Sequence, residues 1–170
     1  MGRPTLPSLR VPVPMIVPAW LIRLMWRPRL SAQVKLGPED LIAIEVADMC
    51  RAWTIEDRLR AVFWHTANEA GGGSDKKRRE IQMAKARALG MIPGTPDLVF
   101  IGDPPQPPAA LRHTVLLIEL KSAKGRRSDN QGDFAAWANH HNITYLICRS
   151  LAEVEEALTK HGLLLRRRAP

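Results

Sequence analysis

HTVLLIELKS, residues 113–122, is the longest β-compatible run in the chain, and it ends in two charged side chains. Alternate residues of a strand share a face, so Val115, Leu117, Glu119 and Lys121 line one side and Leu116, Ile118 and Leu120 the other. Both faces begin apolar, which predicts a central strand. A carboxylate and an ammonium placed directly after such a run cost several kcal/mol per unpaired ion in a dry core. The two can neutralise each other, emerge at the sheet edge, or sit beside a divalent cation.

The preceding run, PDLVFIG (96–102), bears on that choice. The proline-rich segment between the two runs cannot continue a strand, so they are expected to pair as an antiparallel hairpin that brings Asp97 towards Glu119. Two such carboxylates repel and raise one pKa unless a cation lies between them. Hard oxygen ligands with open positions suit Mg²⁺ or Mn²⁺.

Upstream, residues 38–53 have Pro38 in the first turn, Glu39 and Asp40 after it, and Ile42, Val46, Met49 and Trp53 at helical spacing. RAVFWHT (60–66) is β-compatible, and ANEAGGGSD (67–75) is a glycine-rich loop. Residues 75–89 are rich in helix formers and are stopped by Gly90. Downstream, 129–140 predict a helix, ITYLICRS (143–150) a strand, and 151–162 an amphipathic helix between Ser150 and Gly162. The order α, β, α, β, β, α, β, α makes a mixed α/β layer fold.

At 170 residues and 45% hydrophobic, the chain suits one domain with tails. The expected division is a proline-rich basic arm (1–36), a core (37–165) and a basic tail (166–170). Cys50 and Cys148 sit in apolar stretches and are expected as buried thiols, which implies a reducing, cytoplasmic setting. The apolar arm is broken by Pro12, Pro14, Pro18 and Pro28, so neither a membrane span nor a signal peptide is expected.

The net charge of +8 suggests a polyanionic partner, but most of the excess is terminal. Of 25 Arg and Lys side chains, six lie in residues 1–36 and three in 166–168, so the core carries about as many bases as the 17 acids. Clustering matters more: Lys76, Lys77, Arg78 and Arg79 form one run, and Lys124, Arg126 and Arg127 follow Lys121. Positive charge at the start of a helix opposes its dipole, and phosphate contact would give the first run a purpose.

These residues resemble a family. Pro96-Asp97 followed by Glu119-Leu120-Lys121 matches the signature of the PD-(D/E)xK nucleases. FWHTANEAGGGS (63–74), ALGMIPGTPDLVF (88–100) and GRRSDNQGDF (125–134) resemble segments of its VRR-NUC branch, found in phage and prophage proteins and in DNA-repair nucleases. The resemblance covers residues 38–160. It implies a restriction-endonuclease-like fold and Mg²⁺-dependent hydrolysis of DNA, with flapped, branched or four-way DNA as substrate and a homodimer as the acting form.

Carried over by position, the resemblance makes Asp97 and Glu119 metal ligands with the Leu120 carbonyl, Lys121 the residue acting on water and phosphate, and Gln131 a further site residue. Its first-helix glutamate corresponds to Glu39, with Glu45 as rival, and the glutamine usual one turn later has no counterpart at Ile42 or Ala43. Asn68 and Ser128 join the basic clusters as candidate DNA contacts. Gln131 has a second reading as a helix cap, and Trp137 and His65 have readings as core residues. The competing functions are a restriction or mobile-element nuclease and a DNA-junction binder that does not cleave.

Overall fold

A computed structural model describes residues 30, 35–66, 76–103 and 113–166, with the side chains of Arg78 and Arg79 excluded. The chain divides into two units, Met1–Val34 and Lys35–Pro170, and the fold below is that of the second. Its elements are α1 (Pro38–Ile55), β1 (Ala61–His65), α2 (Lys76–Ala88), β2 (Leu98–Gly102), β3 (Thr114–Leu120), α3 (Asp129–His140), β4 (Thr144–Cys148) and α4 (Leu151–Lys160). That order is the one expected from the sequence. The proline-rich arm, apart from Leu30, Lys35 and Leu36, lies outside the described residues, as do Asn68 and the tail from residue 167. No helix among the described residues is long and apolar enough to cross a membrane.

The four strands form one open mixed sheet in the order β1-β2-β3-β4. β1 with β2 and β2 with β3 are antiparallel, whereas β3 and β4 are parallel and joined through α3. β3 is therefore internal, as its two apolar faces require. On one face Val99, Leu117 and Tyr145 lie in register, and Phe134, Ala135 and Ala138 of α3 pack over them. On the other face Phe63, Phe100 and Leu116 align across β1, β2 and β3, with the two phenyl rings stacked at 5.7 Å.

Helix α1 starts where Pro38 needs no amide partner, and the Gly37 amide donates to Asp40 Oδ2 at 2.7 Å. Its buried Val46, Cys50 and Trp53 form a single stripe at spacings of four and three residues. α1 touches β3 and α4, and α4 contributes buried Val154, Ala157 and Leu158 to the core. Fully burying a side chain such as Leu116 or Ile118 contributes about 1.5–3 kcal/mol, so the β3 core anchors the sheet on which the charged residues stand.

Both cysteines are buried and free, as their apolar contexts predict. Burial pushes the Cys50 thiol up to about 12 and the Cys148 thiol up to about 11, because neither environment tolerates a thiolate. The folded protein is expected to give negligible reaction with a thiol reagent at pH 8, and both thiols should react once the chain is unfolded in denaturant. Rapid titration of either thiol in the native protein would contradict the buried placement.

Candidate active site at the end of the central strand

Three parts of the chain bring charge to the carboxyl end of β3. The β2/β3 register pairs Leu98 with Ile118, so Asp97, one residue before β2, lies across from Glu119. Asp97 Oδ2 accepts from the Leu120 amide at 2.7 Å, which ties the carboxylate to the last residue of β3. Glu39, in the first turn of α1, accepts from the Ser122 amide at 3.0 Å through Oε1. The rival Glu45 is exposed farther along the same helix.

Glu119 is 1% exposed and Lys121 8%. The Lys121 ammonium lies 2.7 Å from Glu119 Oε1 and 3.9 Å from Glu39 Oε2. Glu119 is also held by two neutral donors: Gln131 Nε2 donates to Oε1, and the Tyr145 hydroxyl donates to Oε2 at 3.3 Å. Three carboxylate charges thus act on one buried ammonium, two of them, Glu119 and Glu39, within ion-pair distance of it.

The titration behaviour follows from that imbalance. Burial pushes Asp97 above the ordinary carboxylate range, against the opposing pull of the Leu120 amide and of His65 and Lys121. Burial also raises Glu119, with the Asp97 charge adding to it, while the Lys121 hydrogen bond acts in the opposite direction. For Lys121, burial pulls the pKa down, but the hydrogen bond to Glu119 and the charges of Glu119, Glu39 and Asp97 outweigh it and raise the net value. Lys121 is therefore a cation at neutral pH. Burial and Glu119 together keep Tyr145 protonated as a donor.

Among the described residues, no three His, Cys, Asp or Glu side chains are already gathered as a metal cage. The Lys121 ammonium occupies one Glu119 oxygen, and the two remaining carboxylates approach from different elements. In charge and hardness the donor set still fits a divalent cation, because carboxylate oxygens exceed the positive charge facing them.

Gln131 does two jobs that the sequence presented as alternatives. Its side-chain oxygen accepts from the Ser128 amide at 2.8 Å while the Ser128 hydroxyl accepts from the Gln131 amide at 3.4 Å, a reciprocal cap on α3. With its oxygen used for the cap, its nitrogen is directed at Glu119. Gly94 makes that placement possible. Its φ is +86°, and a Cβ there would lie 2.4 Å from the Asn130 carbonyl oxygen and 2.8 Å from the Gln131 amide nitrogen. Gly94→Ala is expected to displace the start of α3, loosen the Gln131–Glu119 bond and destabilise the fold by about 1–3 kcal/mol, measurable by urea unfolding.

The remaining sequence candidates are spread more widely. Lys124, Arg126, Arg127 and Ser128 are exposed along the segment that leaves β3 and enters α3, and the Ser128 hydroxyl is engaged in its cap. Lys76 and Lys77 are exposed on α2, where Lys76 lies 3.9 Å from Glu80. Two core readings are corrected: Trp137 is 52% exposed and His65 is exposed at the end of an edge strand. Trp137 was expected inside because an indole in a helix usually packs, but Phe134, Ala135 and Ala138 already fill the sheet-facing side of α3.

Tyr145 and Arg149 were not anticipated. Tyr145 is the chain's single tyrosine, and its parallel pairing with Leu117 puts it on the Glu119 face. That pairing is tertiary information. Arg149 Nη1 donates to the carbonyls of Ser122 at 2.5 Å and Gly125 at 3.0 Å.

No protein-family model matches the chain, and no curated protein matches it. A solved structure described as a "VRR_NUC domain protein" is similar, with 16% sequence identity, coverage of 77% of this chain and 93% of that chain, and a TM-score of 0.49.

Proposed function

We propose that this chain is a Mg²⁺- or Mn²⁺-dependent DNA endonuclease that hydrolyses phosphodiester bonds in branched, flapped or four-way DNA, acting as a homodimer. The observation that carries this reading is the fully buried Glu119 pressed against Lys121, with Asp97 and Glu39 reaching the same strand end from other elements. A purely structural ion pair has no use for the additional carboxylates.

Asp97 and Glu119, with the Leu120 carbonyl and Glu39, are the residues to hold the cation. When bound, such a cation supplies Lewis-acid polarisation of the phosphate and a more acidic water. Lys121 is a poor base because it is held protonated, so its role is to stabilise charge developing on the phosphate and to orient the attacking water. Gln131 and Tyr145 keep the Glu119 carboxylate in one orientation from opposite oxygens. Lys124, Arg126 and Arg127 contact phosphates beside the site, and Lys76 and Lys77, exposed on α2, are further phosphate contacts. The preference for branched DNA comes from the family resemblance.

The test is incubation of the full chain with linear duplex, flap, splayed and four-way DNA in Mg²⁺, Mn²⁺ or EDTA. Metal-dependent cutting, strongest on the branched substrates, is expected. Tight junction binding with no product in either metal would favour the non-cleaving binder. Sedimentation of the free and DNA-bound chain tests the dimer.

A further inference from the structure

The four-residue turn Ser122–Gly125 follows Lys121 directly and leads into Arg126 and Arg127. It is gripped from two sides. From α1, Glu39 Oε1 accepts the Ser122 amide, and the same oxygen lies only 2.9 Å from where a Gly125 Cβ would stand. From the end of β4, one nitrogen of Arg149 reaches the Ser122 and Gly125 carbonyls, the two ends of the turn. The turn closes on itself only through the Gly125 amide, which donates to the Ser122 carbonyl at 2.9 Å.

Arg149 is well placed for this. Leu120 pairs with Cys148, and the Lys121 amide donates to the Cys148 carbonyl at 2.9 Å, so Arg149, the residue that follows β4, emerges beside the turn. No carboxylate side chain pairs with its guanidinium in the described structure; Glu153 instead accepts from its backbone amide. A planar, weakly hydrated guanidinium loses less on being fixed against carbonyls than a flexible, strongly hydrated ammonium does. A glycine-containing surface turn without this brace has many conformations, and each would carry the neighbouring bases to a different place.

We infer that Arg149 is a positioning residue: it locks the Ser122–Gly125 turn in the shape that presents Lys124, Arg126 and Arg127 to the phosphates of a nucleic-acid backbone. The inference rests on the DNA-cleaving reading above for the identity of the ligand, and on geometry alone for the lock.

Two measurements on the 170-residue chain test it. The first is DNA affinity in EDTA over a range of salt, for wild type, Arg149→Ala, Arg149→Lys and Gly125→Ala. A single lost phosphate contact lowers the salt slope by about 0.9, whereas releasing a three-base segment lowers it by about 2 or more. Both Arg149 variants are expected to bind roughly 10-fold more weakly, with the larger change in slope. Gly125→Ala, which keeps every charge, is expected to weaken binding in the same direction.

The second measurement is amide hydrogen exchange at Ser122 and Gly125, which should accelerate in both Arg149 variants while exchange in β3 stays protected. Wild-type binding by Arg149→Lys, or a slope change near 0.9, would mean that Arg149 is an ordinary phosphate contact and would overturn the proposal. Unchanged exchange at Gly125 would overturn it as well. If the wild type binds no DNA, the functional reading fails, and the exchange data alone decide whether the lock exists.

Discussion

Asp97→Asn is expected to lose about 10³-fold or more of the metal-dependent cleavage rate, on the scale of removing a preorganised charge from a transition state, while DNA affinity in EDTA stays within about 3-fold of wild type. The substitution preserves shape: an amide oxygen can still accept from the Leu120 amide, so the β2–β3 junction should hold. What disappears is one negative charge facing Glu119. Stability should then move in the opposite direction from activity. Burial raises Asp97 above the ordinary carboxylate range, so the folded state binds its proton more tightly than the unfolded state does. A group shifted that way contributes stability below its unfolded pKa, and that contribution is lost as pH rises through the folded value.

Without divalent metal, wild-type stability should therefore fall as pH climbs out of the ordinary carboxylate range, and the Asn variant should flatten that fall. Adding Mg²⁺ should raise the wild-type melting temperature at neutral pH and leave Asp97→Asn nearly unmoved. Equal stabilisation of both proteins by Mg²⁺ would remove Asp97 from the metal site, whatever the cleavage assay gave.

The second large effect is expected at Lys121. Replacing it with Met keeps much of the apolar stem but leaves Glu119, 1% exposed, beside Asp97 with no cation against it. Breaking a buried pair in this way costs about 3–5 kcal/mol. Glu119 can avoid the cost by holding a proton, so the destabilisation should be small at pH 5 and near its full value at pH 8, compared by urea unfolding at both. The double variant Glu119→Gln/Lys121→Met should recover most of the stability at pH 8 and none of the cleavage. A Lys121→Met penalty independent of pH would show that lost packing, not stranded charge, explains it.

Local patterning was sufficient for the secondary structure because each element carries its own punctuation. Pro38 starts α1, Gly90 follows α2 with a φ of +93°, Ser150 caps α4 and Gly162 follows it with a φ of +71°. β3 was legible as central because an edge strand has no need for two apolar faces. The nearness of Asp97 to Glu119 was legible too, since an antiparallel hairpin with one end defined places the other.

Other features depended on distances between parts of the chain that no local pattern encodes. Glu39 and Glu45 both lie on α1, and which of them reaches β3 depends on where that helix crosses the sheet. Trp137 and Phe134 are both aromatic residues of one helix, and only the packing of α3 over Leu117 and Tyr145 decides which of them is covered.

The charged end of β3 shows the division most clearly. By itself the sequence determined that Glu119 and Lys121 share a strand face with an acid nearby, because strand periodicity and hairpin pairing are properties of neighbouring residues. Only the tertiary structure decided that Lys121 rests on Glu119 rather than apart from it, that Gln131 and Tyr145 complete the carboxylate's hydrogen bonds, and that Arg149 clamps the turn beyond. Those contacts join α3 and β4 to β3 across 12 to 27 residues of chain, and they form only once the core has set the distance between the layers.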